Sequence, residues 1–155
     1  YALPIAYLVA VYHSTVTIPN VTVHHWTTGW KELGKVVDRE ATAFEAESGR
    51  KVFILGMDTY NLAAVLSFYN DDTHEVFSRN LVGRSARAFD YWTPKIDPVG
   101  LNALAVDLQA PDLEKLAKYF TRVDENVRRI PVMKGDRVLY RFYMVKCFGY
   151  VGSPS

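Results

Sequence analysis

Between residues 29 and 47 the apolar positions Trp30, Leu33, Val37, Ala41 and Phe44 recur at helical spacing. Lys31, Glu32, Lys35, Asp38, Arg39 and Glu45 fall on the other faces. This spacing predicts an amphipathic helix. Gly29 opens it, with Glu32 three residues on as a partial capping box, and Gly49 closes it as a left-handed cap. Val52-Phe53-Ile54-Leu55 is a continuous apolar run of the kind found in strands buried on both faces. Gly56-Met57-Asp58-Thr59 turns the chain, and residues 61–69, apolar almost all round, predict a buried helix. A second strand is expected at 75–78, a polar loop at 79–87 and a third strand at 102–108. Pro111 at a first helical position predicts a helix whose Leu113, Leu116, Ala117 and Phe120 share one face. The period then drops to two in Val138, Tyr140, Phe142 and Met144. Residues 128–133 and 137–148, flanking Lys134-Gly135-Asp136, therefore predict an antiparallel hairpin. The expected fold is a single α/β domain, a mixed β-sheet flanked by helices and ending in that hairpin.

Residues 1–12, YALPIAYLVAVY, are apolar and uncharged. A spanning helix needs about 20 such residues, so this segment cannot cross a bilayer alone. It also lacks the positive start of a signal peptide. It reads as a core element, an amphipathic surface segment or the end of a transmembrane helix, with Tyr7 and Tyr12 suited to a membrane interface. Residues 13–20 are a polar, β-branched connector stopped by Pro19. The chain thus divides into a hydrophobic stub and connector, 1–20, and an α/β domain, 21–155.

A length of 155 residues with 49% hydrophobic content gives one domain with a sizeable core. Ten tyrosines are many for such a chain. Each needs a partner for its hydroxyl or a half-wet surface, so some rings are candidates for a groove. A net charge of +1 supplies no field to recruit nucleic acid, and no nucleic-acid partner is expected. The charge is uneven: from Lys115 onward nine Lys or Arg face only Asp124, Glu125 and Asp136. That basic end suits anionic lipid or phosphate, or is simply a solvated surface. Cys147 is the single cysteine, which excludes an internal disulfide and a thiolate metal cluster.

The familiar catalytic signatures are missing. There is no dinucleotide or phosphate-cradling glycine motif and no nucleophile elbow. Asp58, after the first strand, is a turn or cap residue before it is a catalytic acid, and its charge would repel phosphate at the helix start. His24-His25, adjacent on a strand, would point to opposite faces and cannot readily share an ion. Asp71-Asp72 reads as an exposed turn in preference to a calcium or glycosidase site. Arg84 and Arg87 lie in a loop where guanidinium groups could bind phosphate or form surface ion pairs. No catalytic residue, metal ligand or cofactor is assigned.

Four short aromatic-bearing motifs carry a resemblance: Gly29-Trp30-Lys31-Glu32-Leu33, Tyr60-Asn61-Leu62-Ala63-Ala64, Ser67-Phe68-Tyr69 and Phe89-Asp90-Tyr91-Trp92. Followed by Gly100, a strand and a late Gly149 or Gly152, they resemble the C-terminal soluble domain of bacterial membrane glycosyltransferases. These are related to dolichyl-phosphate-mannose–protein mannosyltransferases and the lipid A aminoarabinose transferase. The resemblance spans roughly residues 29–152. It implies a small extracytoplasmic α/β domain after a transmembrane bundle in the bacterial inner membrane, facing the periplasm. It also implies that residues 1–12 are the end of a transmembrane helix. The family's acidic catalytic residues lie early in the whole protein, so none transfers to this chain.

The expected function is therefore that of a non-catalytic accessory domain. Its parent would transfer a sugar from a polyprenyl-phosphate carrier to a protein, lipid or glycan acceptor. The expected partners are the transmembrane part of the same protein, the donor and the acceptor near the membrane. Tyr60, Tyr69, Asp90, Tyr91 and Trp92 are the candidate ligand-binding residues, because rings stack on sugar C–H faces and a carboxylate accepts hydroxyl hydrogen bonds. Against that stands a purely architectural role, holding helix and loop to the sheet. Two other functions compete. One is a stand-alone carbohydrate- or protein-binding module. The other is a small α/β enzyme with a nucleotide-like ligand, which requires a concave pocket at the strand ends around residues 56–61.

Overall fold

The computed structural model describes residues 29–58, 61–70, 73–91 and 93–152. Helix α1 (Trp30–Ser48) leads into strand β1 (Val52–Gly56), helix α2 (Leu62–Tyr69) and strand β2 (Val76–Ser78). Two 3₁₀ turns, Arg79–Val82 and Arg87–Tyr91, precede strand β3 (Asn102–Asp107) and helix α3 (Leu113–Leu116). Strands β4 (Phe120–Val123), β5 (Arg128–Lys134) and β6 (Arg137–Tyr150) complete the domain. The sheet is mixed, in the order β2-β1-β3-β6-β4, with β5 also paired to β6. β1 runs parallel to both β2 and β3, with Ile54 opposite Val76 on one side and Leu104 on the other. β6 closes antiparallel on β3, placing Val145 opposite Ala105.

Both faces of the sheet are covered, which is why β1 is buried at all five positions. On the first face Ile54, Leu104, Phe142 and Met144 pack against Leu33, Val37, Ala41 and Phe44 of α1 and Leu62 and Leu66 of α2. On the second, Phe53, Leu55, Ala105 and Val145 pack with Leu116, Phe120 and Tyr150. Cys147 belongs to this second cluster, and burial pushes its thiol pKa up. Among the described residues no helix is long and apolar enough to cross a membrane. The stub 1–20, His24, His25, Asp71 and Asp72 lie outside the described residues.

Close approaches explain Gly29 of the first aromatic motif and two glycines packed against the others. Gly29 has φ of 88°, a left-handed conformation that favours glycine. A side-chain carbon there would meet Leu139, Tyr140 and Val132 of the hairpin. Its neighbour Trp30 lies 5.8 Å from the Tyr140 ring and 6.1 Å from Phe142, so the start of α1 is clasped to the β5–β6 ribbon. Glycine inside a helix costs roughly 1 kcal/mol against alanine. Gly34 is there because α2 passes directly over it: a Cβ would stand 2.6 Å from Tyr69 Cβ and 2.7 Å from the Tyr69 carbonyl oxygen. At Gly56 a Cβ would stand 2.8 Å from Ala63 Cα, which seats the second motif on the end of β1.

Polar groups tie the first face together. The buried imidazole of His74 places Nδ1 2.9 Å from Asp38 Oδ1 and Nε2 3.6 Å from Glu45 Oε2. The same Glu45 oxygen accepts the Val52 N–H at 3.2 Å, and Asn70 donates to the His74 carbonyl. One small network thus joins α1, the end of α2 and the approaches to β1 and β2.

Two expectations need correction. The 61–69 helix is not buried all round: Leu62, Ala63 and Leu66 face the sheet, whereas Phe68 is 79% exposed. α2 lies on one face of an edge-proximal pair of strands, so its far side meets solvent. The helix expected from Pro111 is a single turn capped by Asp112, which accepts the Lys115 N–H at 3.1 Å. Phe120 instead opens β4 opposite Tyr150 of β6, where the Val151 N–H donates to the Tyr119 carbonyl at 2.9 Å, and it still shares a cluster with Leu116. Of the two late glycines, Gly152 follows β6 and Gly149 lies within it. With φ of 58°, Gly149 lets Tyr150 donate to the Leu101 carbonyl at 2.8 Å, one residue out of step with the Ala103–Cys147 pairing. That is a β-bulge with glycine at its left-handed position. The displaced Gly149 N–H is accepted by the buried Asn102 side chain at 3.0 Å.

Among the described residues the edges of the sheet are short or broken. β2 has three residues; on the far side β4 and β5 occupy successive halves of β6, and β5 carries Pro131 opposite Arg141.

Two substitutions test this packing. Gly34→Ala gains helix propensity yet collides with the Tyr69 backbone, and should destabilise the domain by about 1–3 kcal/mol in urea unfolding. A change within the noise of wild type would show that α1 and α2 are not in contact there. Tyr140 carries a buried hydroxyl without a hydrogen-bond partner. Its pKa is pushed up to about 12, chiefly by burial and then by the Glu32 charge. Because the folded state holds this proton more tightly than the unfolded chain, stability is full below about pH 10 and falls as pH rises towards 12. Tyr140→Phe should equal or exceed wild type in stability at neutral pH and lose less of it above pH 10. A marked destabilisation at pH 7 would contradict the unpartnered hydroxyl.

Candidate functional site

The parallel strands β1, β2 and β3 end on the same side of the sheet. The chain leaves β1 towards α2 on the first face and leaves β3 towards α3 on the second. Connections that diverge to opposite faces open a crevice between strand ends, the place where open α/β sheets bind ligands. A cleft of about 370 Å³ lies there. Its floor is Met57, just past β1, and Leu116 of α3. Val82, Gly83 and Arg84, following β2, form one wall; Asp107, Gln109, Ala110 and Pro111 continue from β3, and Lys115, Lys118 and Tyr119 close the other side.

Asp107 is the chemically distinctive group in this cleft. Alternation along β3 turns it to the second face with Ala103 and Ala105. Its carboxyl is held above the usual carboxylate range, first because burial strips away water. The N–H groups of Gln109 and Leu108 oppose that, the former at 3.3 Å from Oδ1. The charge of Asp58 adds to the upward shift and the Arg84 guanidinium draws it back. Asp58, just past β1, and Arg84, in the loop after β2, therefore both act on Asp107 at the end of β3. Asp58 also accepts the Asn61 N–H at 2.9 Å, the turn role its position suggests. Asp112 is held below the usual range, chiefly by hydrogen bonding to Lys115, whose Nζ lies 2.8 Å away. The cleft thus holds hydrogen-bond donors and acceptors of both charges beside an apolar floor. It can orient a small polar molecule.

The aromatic candidates are placed elsewhere. Tyr60 and Trp92 lie outside the described residues. Tyr69 is half-buried at the end of α2, packed over Gly34 with its ring centre 4.8 Å from that of Phe68. Asp90 turns its carboxylate into its own loop, where it accepts the Ala86 N–H at 2.9 Å and the Ser85 hydroxyl at 3.0 Å. Tyr91 is 91% exposed. None of these three lines the strand-end cleft. Part of the basic C-terminal portion is engaged along the domain: Arg128 pairs with Glu40 and Lys146 with Glu47 of α1, and Arg122 lies 3.6 Å over the Phe148 ring.

Sequence inspection passed over Asp107, Gln109, Lys115 and Tyr119. The available signal was the acidic end of the NALAVD strand, together with Arg84 in the loop after β2 and the expectation of a pocket near residues 56–61.

The upward shift of Asp107 means that its ionisation opposes folding. This group's contribution favours the folded state at low pH and is lost as pH rises through its elevated folded-state pKa. Asp107→Asn keeps the acceptor for the Gln109 N–H and removes the charge. It should raise the urea midpoint at pH 7, with the gain shrinking as pH falls into the ordinary carboxylate range. An equal or lower midpoint at pH 7 would show that the carboxylate is well solvated or well paired.

Comparison with known families, characterised proteins and solved structures finds no match to this chain, so its own residues carry the functional argument.

Proposed function

We propose that this chain is a non-catalytic accessory domain of an integral-membrane glycosyltransferase, one that moves a sugar from a polyprenyl-phosphate carrier to a protein, lipid or glycan acceptor. The observation that carries the proposal is what the resemblance motifs do in the fold. Gly29 and Trp30 clasp the hairpin, Ala63 seats on Gly56, and Tyr69 lies across Gly34. These positions are the joints of a helix-on-sheet framework, and a framework is what an accessory domain has to preserve. The exposed rings of Phe68 and Tyr91 remain available to a neighbouring surface or a sugar.

On this proposal the domain faces the periplasm, and its partners are the transmembrane part of the same protein together with donor and acceptor. The alternative, a stand-alone carbohydrate- or protein-binding module, draws on the strand-end cleft alone.

The test compares the 155-residue chain with the complete protein encoded by its reading frame, both supplied with polyprenyl-phosphate sugars. Membranes holding the complete protein should transfer sugar and the isolated chain should transfer none. Gly34→Val in the complete protein, a collision in the α1–α2 joint, should cut transfer or membrane abundance several-fold. A reading frame without membrane spans, or transfer by the isolated chain, would overturn the proposal.

A further inference from the structure

We propose that the crevice at the carboxyl ends of β1 and β3 is a binding site for a neutral, hydroxyl-rich ligand of monosaccharide size. This inference stands apart from the membrane-enzyme proposal, because it uses none of the aromatic motif residues and needs no parent protein.

Size sets the first limit. Small-molecule sites run from roughly 300 to 1,000 Å³, and about 370 Å³ is near the bottom of that range. A sugar ring is admitted and a dinucleotide is not.

Charge sets the second. Asp107 and Asp112 line the cleft and Asp58 acts on Asp107 from the next strand end, so a bare phosphate would meet carboxylates on approach. A metal cation would instead meet Arg84, Lys115 and Lys118. A ligand with many hydroxyls satisfies both signs at once. Each hydroxyl donates one hydrogen bond to a carboxylate and accepts from a guanidinium, ammonium or phenol. Burial of Asp107 strengthens the requirement, since a partly desolvated carboxyl gains most from a partner that restores the hydrogen bonds lost with water.

Shape supplies the third. Tyr119 lines the cleft half-buried, offering a ring face and a hydroxyl. Tyr143 stands directly opposite Asp107 in the β3–β6 register, so both side chains leave the same face of the sheet as neighbours. The Arg129 guanidinium lies 5.7 Å from the Tyr143 ring centre on the adjoining strand. An aromatic wall beside a carboxylate is the pairing a pyranose uses, with C–H groups on the ring and hydroxyls on the oxygens.

The experiment is an amide-NMR titration of the 155-residue chain with neutral hexoses and short neutral glycans, up to about 50 mM because affinities for single sugars are in the millimolar range. Parallel arms use a hexose phosphate, inorganic phosphate, a nucleoside monophosphate and Mg²⁺. Saturable shifts at Met57, Gly83, Gln109 and Lys115 with a neutral sugar are expected. Asp107→Asn and Arg84→Ala should each weaken them about tenfold, the loss of one charged hydrogen-bond partner. Tyr119→Ala, at a half-buried position in the lining, removes the aromatic ring without removing a charge and should weaken binding as well. Spectra of all three variants establish that they are folded. Absence of saturable shifts with every neutral sugar would overturn the proposal. So would tighter binding of phosphate, nucleotide or Mg²⁺ than of sugar at the same residues, or sugar binding indifferent to all three substitutions.

Discussion

The fold depends on the hydrogen-bonded ladder of β6. This strand is fourteen residues long and serves three partners. On one side residues 143–147 pair with β3; on the other, residues 147–150 pair with β4 and 137–144 with β5. Without it the parallel trio β2-β1-β3 would end in an unpaired edge beside Ala103 and Ala105, and neither core cluster could close. Its side chains also alternate between the two clusters: Phe142 and Met144 go to the first, Val145 and Cys147 to the second. The bulge at Gly149 then shifts the phase by one residue, which delivers Tyr150 to the second face beside Phe120 and Phe53.

The two ends of the domain consequently differ. At the carboxyl side of the parallel strands, β6 outruns β3 and continues with β5 as a two-stranded ribbon, and the Gly29-Trp30 start of α1 locks onto it. The strand-end cleft lies beside the root of that ribbon, where Asp107 meets Tyr143. Rigid strand ends, and not a long loop alone, position Asp58 and Asp107, and such placement suits a site whose members come from separate elements. At the opposite end, Asn102 and Gly149 bind the start of β3 to the end of β6.

Much of this architecture was legible because burial on two faces leaves a plain mark. Val52 to Leu55 has no polar position to spare, and Tyr140, Phe142 and Met144 alternate against α1 as their period demands. The α1 stripe behaved likewise. The failures were those of local pattern against tertiary context. Leu113, Leu116 and Phe120 have helical spacing, but Phe120 gains a strand partner, and spacing alone cannot tell the two apart. Phe68 looked interior because its helix is apolar, yet α2 has only one face to bury. The site was harder still. Asp58, Arg84 and Asp107 are separated by a helix, a strand and a long crossover, so only the strand order brings them together. Asp90, by contrast, was noticed for its aromatic neighbours and proved to be closing its own turn.

An open sheet always ends in strands whose outer N–H and C=O groups could recruit another chain. Here β2 offers three residues, too few for a stable addition, and the opposite border is interrupted between β4 and β5 and lacks an N–H at Pro131. Strand addition is thereby discouraged on both borders that the described residues form. Whatever this domain docks against, be it a neighbouring subunit, a polypeptide or a glycan, has to be met by its faces and loops, which leaves the sheet free to act as an inert spine.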